Sequence, residues 1–176
     1  LESLTALPFN QRPAPEHPKL RPAYQGSNPI SHIWASRAAE MISRNLIRVI
    51  EDPGDMEARG DVLLAATYAG IGFGNGGVHL AHGMSYPVSG MVRDYVPEDY
   101  PPGQPLVPHG MAVVLNAPAV FKFTASANPE LHLYAAKLMG KDISDAHPED
   151  AGEILANAIV DLMQKVGMPN GLSALG

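Results

Sequence analysis

At 176 residues the chain has room for one domain with a sizeable hydrophobic core, and its 45% apolar fraction excludes a disordered or fibrous polymer. The net charge of −6 comes from scattered acids, with no basic stripe to neutralise phosphates, so nucleic acid is not an expected partner. No run of 18 or more apolar residues suggests a membrane span, and the absence of cysteine excludes disulfides and thiolate metal sites, so any metal must be held by histidine and carboxylate.

The chain opens on Leu1–Glu2–Ser3–Leu4, which reads as the tail of an element, and both ends are read as cut or processed. Six prolines between residues 8 and 29 mark residues 8–28 as a long loop, because proline cannot donate to helix or sheet ladders. Asn28–Pro29 then supplies an N-cap and a favourable first helical residue. Ile30, Ile33, Trp34, Ala38, Met41, Ile42, Val49 and Ile50 recur at helical spacing up to about Glu51, and Asp52–Pro53–Gly54 ends the helix. A second helix is expected from about Asp55 to Gly70, with Val62–Ala66 apolar nearly all round and therefore buried. A third runs from Gly76 to Tyr86, closed by Pro87. Residues 93–108 form a loop rich in proline and tyrosine. A helix from Pro108 to about Ala125, broken near Pro118, follows. Asn128–Pro129 opens another that stops at Gly140, and His147–Pro148 opens the last, which ends at Gly167. No window alternates with period two between hairpin turns, so the fold class is all-α.

Within the third segment, His79, His82 and Tyr86 stand at i, i+3 and i+7 and would share one helical face. Gly74, Gly76, Gly77 and Gly83 flank them and allow a backbone or ligand to come close. A histidine pair on one face is one way to place two imidazoles around a divalent ion; packing is the other reading of the same pair. His109, in Pro108–His109–Gly110, opens the next helix after a loop that can fold it back towards His82, or serves as a cap or core residue.

The string from Gly77 to Pro87, Gly-Val-His-Leu-Ala-His-Gly-Met-Ser-Tyr-Pro, resembles the metal-binding segment of the iron-containing alcohol dehydrogenases. Leu106–Val107–Pro108–His109–Gly110 followed by Asn116 resembles that family's next metal-binding segment. Gly70–Ile71–Gly72–Phe73–Gly74–Asn75, Ala117–Pro118–Ala119–Val120–Phe121 and the stretch from Tyr24 to Ser31 look most like its hydroxyacid–oxoacid transhydrogenase branch. The resemblance spans nearly the whole chain. It implies the helical C-terminal domain of the dehydroquinate synthase-like fold over residues 1–176, without the α/β NAD-binding domain that precedes it in that family. It also implies that His82 and His109 are metal ligands. Many relatives carry a further histidine where this sequence has Tyr86, near nicotinamide and substrate, so a proton-relay role does not transfer directly. His79 has no ligand counterpart and is expected behind the ligands. The remaining two ligands, an Asp and a His one helical turn apart, belong to a motif that runs into a Leu–Glu–Ser-like sequence and would fall just before residue 1. The longer interval between His82 and His109 is attributed to the loop from Tyr95 to Pro105.

The resemblance further implies a divalent metal, Fe²⁺ first with Zn²⁺ or Ni²⁺ as alternatives, and NAD in the intact protein. The metal would act as a Lewis acid on an alcohol or hydroxyacid whose hydride passes to nicotinamide, with 4-hydroxybutyrate and 2-oxoglutarate as the transhydrogenase pair. Residues 1–176 alone are expected to be inactive. A cytoplasmic location, or the mitochondrial matrix in a eukaryote, fits the lack of cysteine, and a homodimer is conceivable if the cofactor domain leaves an apolar face uncovered. The stretch Gly72–Phe73–Gly74–Asn75–Gly76–Gly77 mimics a dinucleotide fingerprint, but no strand precedes it and it is assigned to helix contact. Two rivals stand beside the enzyme. One is a non-catalytic helical module that binds partners or self-associates. The other, a di-metal bundle, needs Glu-x-x-His pairs and is set aside because Glu130 and His132 have the wrong spacing.

Overall fold

The computed structural model describes residues 1–97, 100 and 103–176. Among the described residues the regular structure is helical, with one isolated bridge between Pro8 and Ser27 and no strand. The chain begins with a short helix α1 (Glu2–Thr5), and the proline-rich loop carries two 3-10 turns, Phe9–Gln11 and Pro18–Leu20. Then come the two long helices α2 (Pro29–Glu51) and α3 (Met56–Gly76), followed by α4 (Leu80–Met91), α5 (His109–Val114), α6 (Ala117–Thr124), α7 (Pro129–Leu138) and α8 (Ala151–Lys165).

Helix α2 begins where its cap was read. The Asn28 side chain accepts from the Ser31 amide at 3.0 Å, and Pro29 takes the first turn. Its apolar face differs from the expected one. Ser31, Ala35, Ala38, Met41 and Asn45 are buried, whereas Ile30, Ile33 and Ile50 are exposed. The reason is the partner. Helix α3 packs antiparallel along α2 on a seam of small residues, and a Cβ on Gly72 would meet Ala35 atoms at 3.1–3.3 Å. Isoleucine has no room there. Ser31 donates its hydroxyl to the Gly72 carbonyl at 2.8 Å at one end of the seam, and Asn45 donates to Asp61 at 3.0 Å at the other.

That seam also carries α3 past Gly70 to Gly76, because close packing offsets the low helix propensity of glycine. The glycine run that mimics a dinucleotide fingerprint is therefore helix up to Gly76 and contacts α2 through Gly72. The expected burial of Val62–Ala66 holds only for Ala65, since Leu63 and Leu64 lie exposed.

Helices α6, α7 and α8 form the second layer around Phe121, Ala135, Ala136, Leu155 and Ile159, and Leu4 of α1 joins this core. The stretch His109–Ala127 reaches a mean hydropathy of 1.2, long and apolar enough to cross a membrane by composition, although polar residues such as Asn116 and Lys122 interrupt it. In this fold it is divided into α5 and α6 by a turn at Leu115–Asn116, just before the expected break, with Ala112, Leu115, Val120, Phe121 and Ala125 in the core. The loop between α4 and α5 is closed at its neck by the Leu106 amide donating to the Tyr95 carbonyl at 2.8 Å. Glu98, Asp99, Pro101 and Pro102 of that loop lie outside the described residues.

Candidate functional site

The site forms where α4 starts, and its shape follows from the break between α3 and α4. Gly77 sits at φ +90°, and a Cβ there would lie 2.5 Å from the Tyr24 ring. Only glycine turns the chain this way at that position. Helical geometry resumes at Leu80, so His79 is not part of the helix. It is the N-cap, and its own Nδ1 accepts from the Leu80 amide at 2.8 Å. The expected common face of His79, His82 and Tyr86 therefore reduces to His82 and Tyr86, one turn apart on α4. Pro87 does not close the helix either. It lies inside α4 on an exposed face, and the helix continues to Met91.

Beneath this helix start lies Glu2, 7% exposed. Its Oε1 accepts from the backbone amides of His79 at 3.0 Å, Ala81 at 3.0 Å and His82 at 3.3 Å. Those amides have no partner within the first turn of a helix, and a carboxylate also complements the positive end of the helix dipole. Its Oε2 takes the Nδ1 of His82, and the Nδ1 of His79 stands 3.1 Å from Oε1. Burial works against the charge on Glu2, but the two neighbouring imidazoles of His79 and His82 outweigh it and hold the carboxyl at about 2.

His82 meets His109 across the gap between α4 and α5. Their ring centroids are 5.3 Å apart and tilted by 59°. His109 is the first residue of α5, so the closed loop neck delivers it to the side of α4 that bears His82. Because Nδ1 of His82 is committed to Glu2, Nε2 is its remaining coordinating nitrogen. Two imidazoles of this kind suit a divalent first-row ion. Among the described residues no group of three or more His, Asp or Glu converges to hold one, so the pair is a partial donor set. Leu1, Glu2 and His82 line one cavity of about 240 Å³, together with Ala35, Ala38 and Phe73.

Tyr86 is 68% exposed and does not enter this cluster. His79 packs edge-on against Phe121, with ring centroids 6.0 Å apart, and its Nε2 is buried without a hydrogen-bond partner. Phe121 in turn contacts His132, which is fully buried. Sequence reasoning brought His82 and His109 forward and missed Glu2.

A helical domain with an imidazole pair at the junction of two helix starts, braced by a buried carboxylate, has the make-up of a partial metal centre. The chain belongs to the Fe-containing alcohol dehydrogenase family, whose C-terminal model matches residues 23–176. It is 57% identical over 178 residues to a Dictyostelium discoideum protein named "Probable hydroxyacid-oxoacid transhydrogenase, mitochondrial", covering 100% of this chain and 32% of that protein. It is 51% identical over 177 residues to the mitochondrial hydroxyacid-oxoacid transhydrogenase of Rattus norvegicus, covering 100% of this chain and 38% of the relative. Among solved structures, a 1,3-propanediol oxidoreductase superposes with a TM-score of 0.74 at 30% identity, over 85% of this chain and 36% of that one. The chain spans about a third of the length of the curated relatives it matches.

Proposed function

We propose that this chain is the metal-binding helical part of an NAD-linked, metal-dependent hydroxyacid oxidoreductase, with His82 and His109 as two of the metal ligands. The observation that carries the reading is the pairing of these two rings at 5.3 Å, in a family named for its iron. The names of the relatives favour a transhydrogenase reaction, a hydroxyacid giving up hydride and an oxoacid receiving it; we take 4-hydroxybutyrate and 2-oxoglutarate as the pair to test. They also favour a mitochondrial setting.

A divalent ion held by His82 and His109, Fe²⁺ first with Zn²⁺ or Ni²⁺ as alternatives, would supply a Lewis acid for the substrate hydroxyl, and NAD would carry the hydride. The rest is done by side chains. His82 presents Nε2 because Glu2 occupies its other nitrogen, and His109 approaches from the opposite helix start. Tyr86, exposed one turn beyond His82 and outside the histidine cluster, would reach substrate only from the rim of the site on this reading. His79 holds the first turn of α4 in place rather than touching the reacting atoms. Two imidazoles, with no further ligand converging among the described residues, bind metal weakly, so residues 1–176 alone are expected to be inactive on this reading.

The test uses the full-length protein. It is expected to reduce bound NAD with 4-hydroxybutyrate and to reoxidise it with 2-oxoglutarate, and His82→Ala abolishes both half-reactions. Undiminished turnover in His82→Ala contradicts the proposal.

A further inference from the structure

We propose that Glu2 is a positioning residue for the metal site: it fixes the tautomer and orientation of His82, and so determines which ring nitrogen faces the ion. The inference rests on the reading of His82 as a ligand and adds to it a residue 80 positions away in the chain.

A carboxylate offers only hydrogen-bond acceptors. The Glu2 Oε2 faces Nδ1 of His82, so the ring proton sits on Nδ1 and Nε2 keeps its lone pair. The same carboxylate cannot swing away, because Oε1 is held by the amides of His79, Ala81 and His82 at 3.0, 3.0 and 3.3 Å. Those amides belong to the N-cap and first turn of α4, which carries the ring. Glu2 thus grips both the backbone and the imidazole of His82, which removes translational and rotational freedom from the ligand before any ion arrives. Partners of this type on the non-coordinating nitrogen of a histidine ligand change metal affinity by about 10- to 100-fold when removed.

Glu2→Gln separates positioning from simple filling of space. The amide has nearly the same volume, and its oxygen can still accept from the α4 amides. Its NH₂ then faces Nδ1 of His82 and donates to it, which moves the ring proton to Nε2 and blocks coordination. Two readouts follow in the full-length protein. The first is the ¹⁵N spectrum of the His82 ring in metal-free protein, assigned by its loss in His82→Ala. Wild type is expected to carry its proton on Nδ1 and Glu2→Gln on Nε2. The second is Zn²⁺ affinity by competition with a chromophoric chelator, expected to fall about 10- to 100-fold in Glu2→Gln.

Wild-type protein with the proton on Nε2 overturns the proposal, and this measurement needs no variant to fold. An unchanged tautomer and unchanged Zn²⁺ affinity in folded Glu2→Gln overturn it as well. If instead His82→Ala keeps full Zn²⁺ affinity while the Glu2-dependent tautomer shift is present, it is the assignment of His82 as a ligand that fails.

Discussion

Alanine substitutions along α3 give opposite signs according to which side of the helix they enter. At Gly74 a Cβ meets nothing within 4 Å, so Gly74→Ala gains the helix propensity difference of about 1 kcal/mol without a packing cost. At Gly72 the new methyl lies 3.1 Å from the Ala35 nitrogen and 3.3 Å from its Cα, backbone atoms that cannot step aside unless α2 moves. The same propensity gain is then set against an overpacking cost of about 1–3 kcal/mol, for a net loss of roughly 0–2 kcal/mol. At Gly76 the methyl falls 2.9 Å from Ser31 Oγ and 3.0 Å from Ser3 Cβ. Moving the Ser31 hydroxyl also strains its 2.8 Å bond to the Gly72 carbonyl, worth about 1 kcal/mol, so the net loss rises to roughly 1–3 kcal/mol. Urea unfolding of the 176-residue chain, comparing midpoints at constant slope, reads the differences directly. The expected order of stability is Gly74→Ala, wild type, Gly72→Ala, Gly76→Ala. Equal stabilisation by all three alanines would refute the small-residue seam as the reason that α2 and α3 pack as they do.

Two further substitutions probe the frame of the site. Asn28 caps α2 and also donates to the carbonyls of Gly26 at 3.0 Å and Asn75 at 3.1 Å, so Asn28→Ala is expected to cost about 1–3 kcal/mol in urea unfolding. Asn28→Asp keeps the cap acceptor but cannot donate, and full recovery by Asp would contradict the cross-link between α2 and the end of α3. His132 has its pKa lowered by burial, partly opposed by its bond to the Asn128 carbonyl and reinforced by the charge of His79. The ring is neutral in the folded state, so its contribution is complete above about pH 6.5, where the unfolded histidine is also neutral. Below that pH the unfolded chain binds a proton that the folded chain refuses, and stability falls by up to about 1.4 kcal/mol per pH unit until the folded pKa is reached. The stability gap between wild type and His132→Gln is therefore expected to narrow from pH 7 to pH 5; a constant gap would show that His132 does not titrate in this way.

The parts of the fold that were legible in the sequence are those set by local chemistry. Asn28–Pro29 marked the start of α2, Gly140 followed the end of α7, and His109 stood at the start of α5. Which face of α2 is buried was not legible. A seam of Ser31, Ala35, Ala38 and Gly72 has little hydrophobic contrast, and the exposed isoleucines dominate any periodicity. His79 reads as helical in the sequence because the turn at Gly77 depends on a positive φ beside the Tyr24 ring, a contact made across the fold. Glu2 stayed hidden for the same reason. Its partners lie 77–80 residues away, and nothing in Leu1–Glu2–Ser3 announces that an acid will cap a distant helix. The histidine pair itself was visible only through motif resemblance, since spacing alone does not separate ligands from packing residues.

The metal content of the full-length protein tests the central claim most directly. Purified without added chelator and measured by elemental mass spectrometry, wild type is expected to carry one divalent ion per chain. His82→Ala and His109→Ala are each expected to lose it while keeping the helical far-ultraviolet spectrum. Folded variants that both retain one ion per chain would contradict the assignment of this histidine pair to the metal.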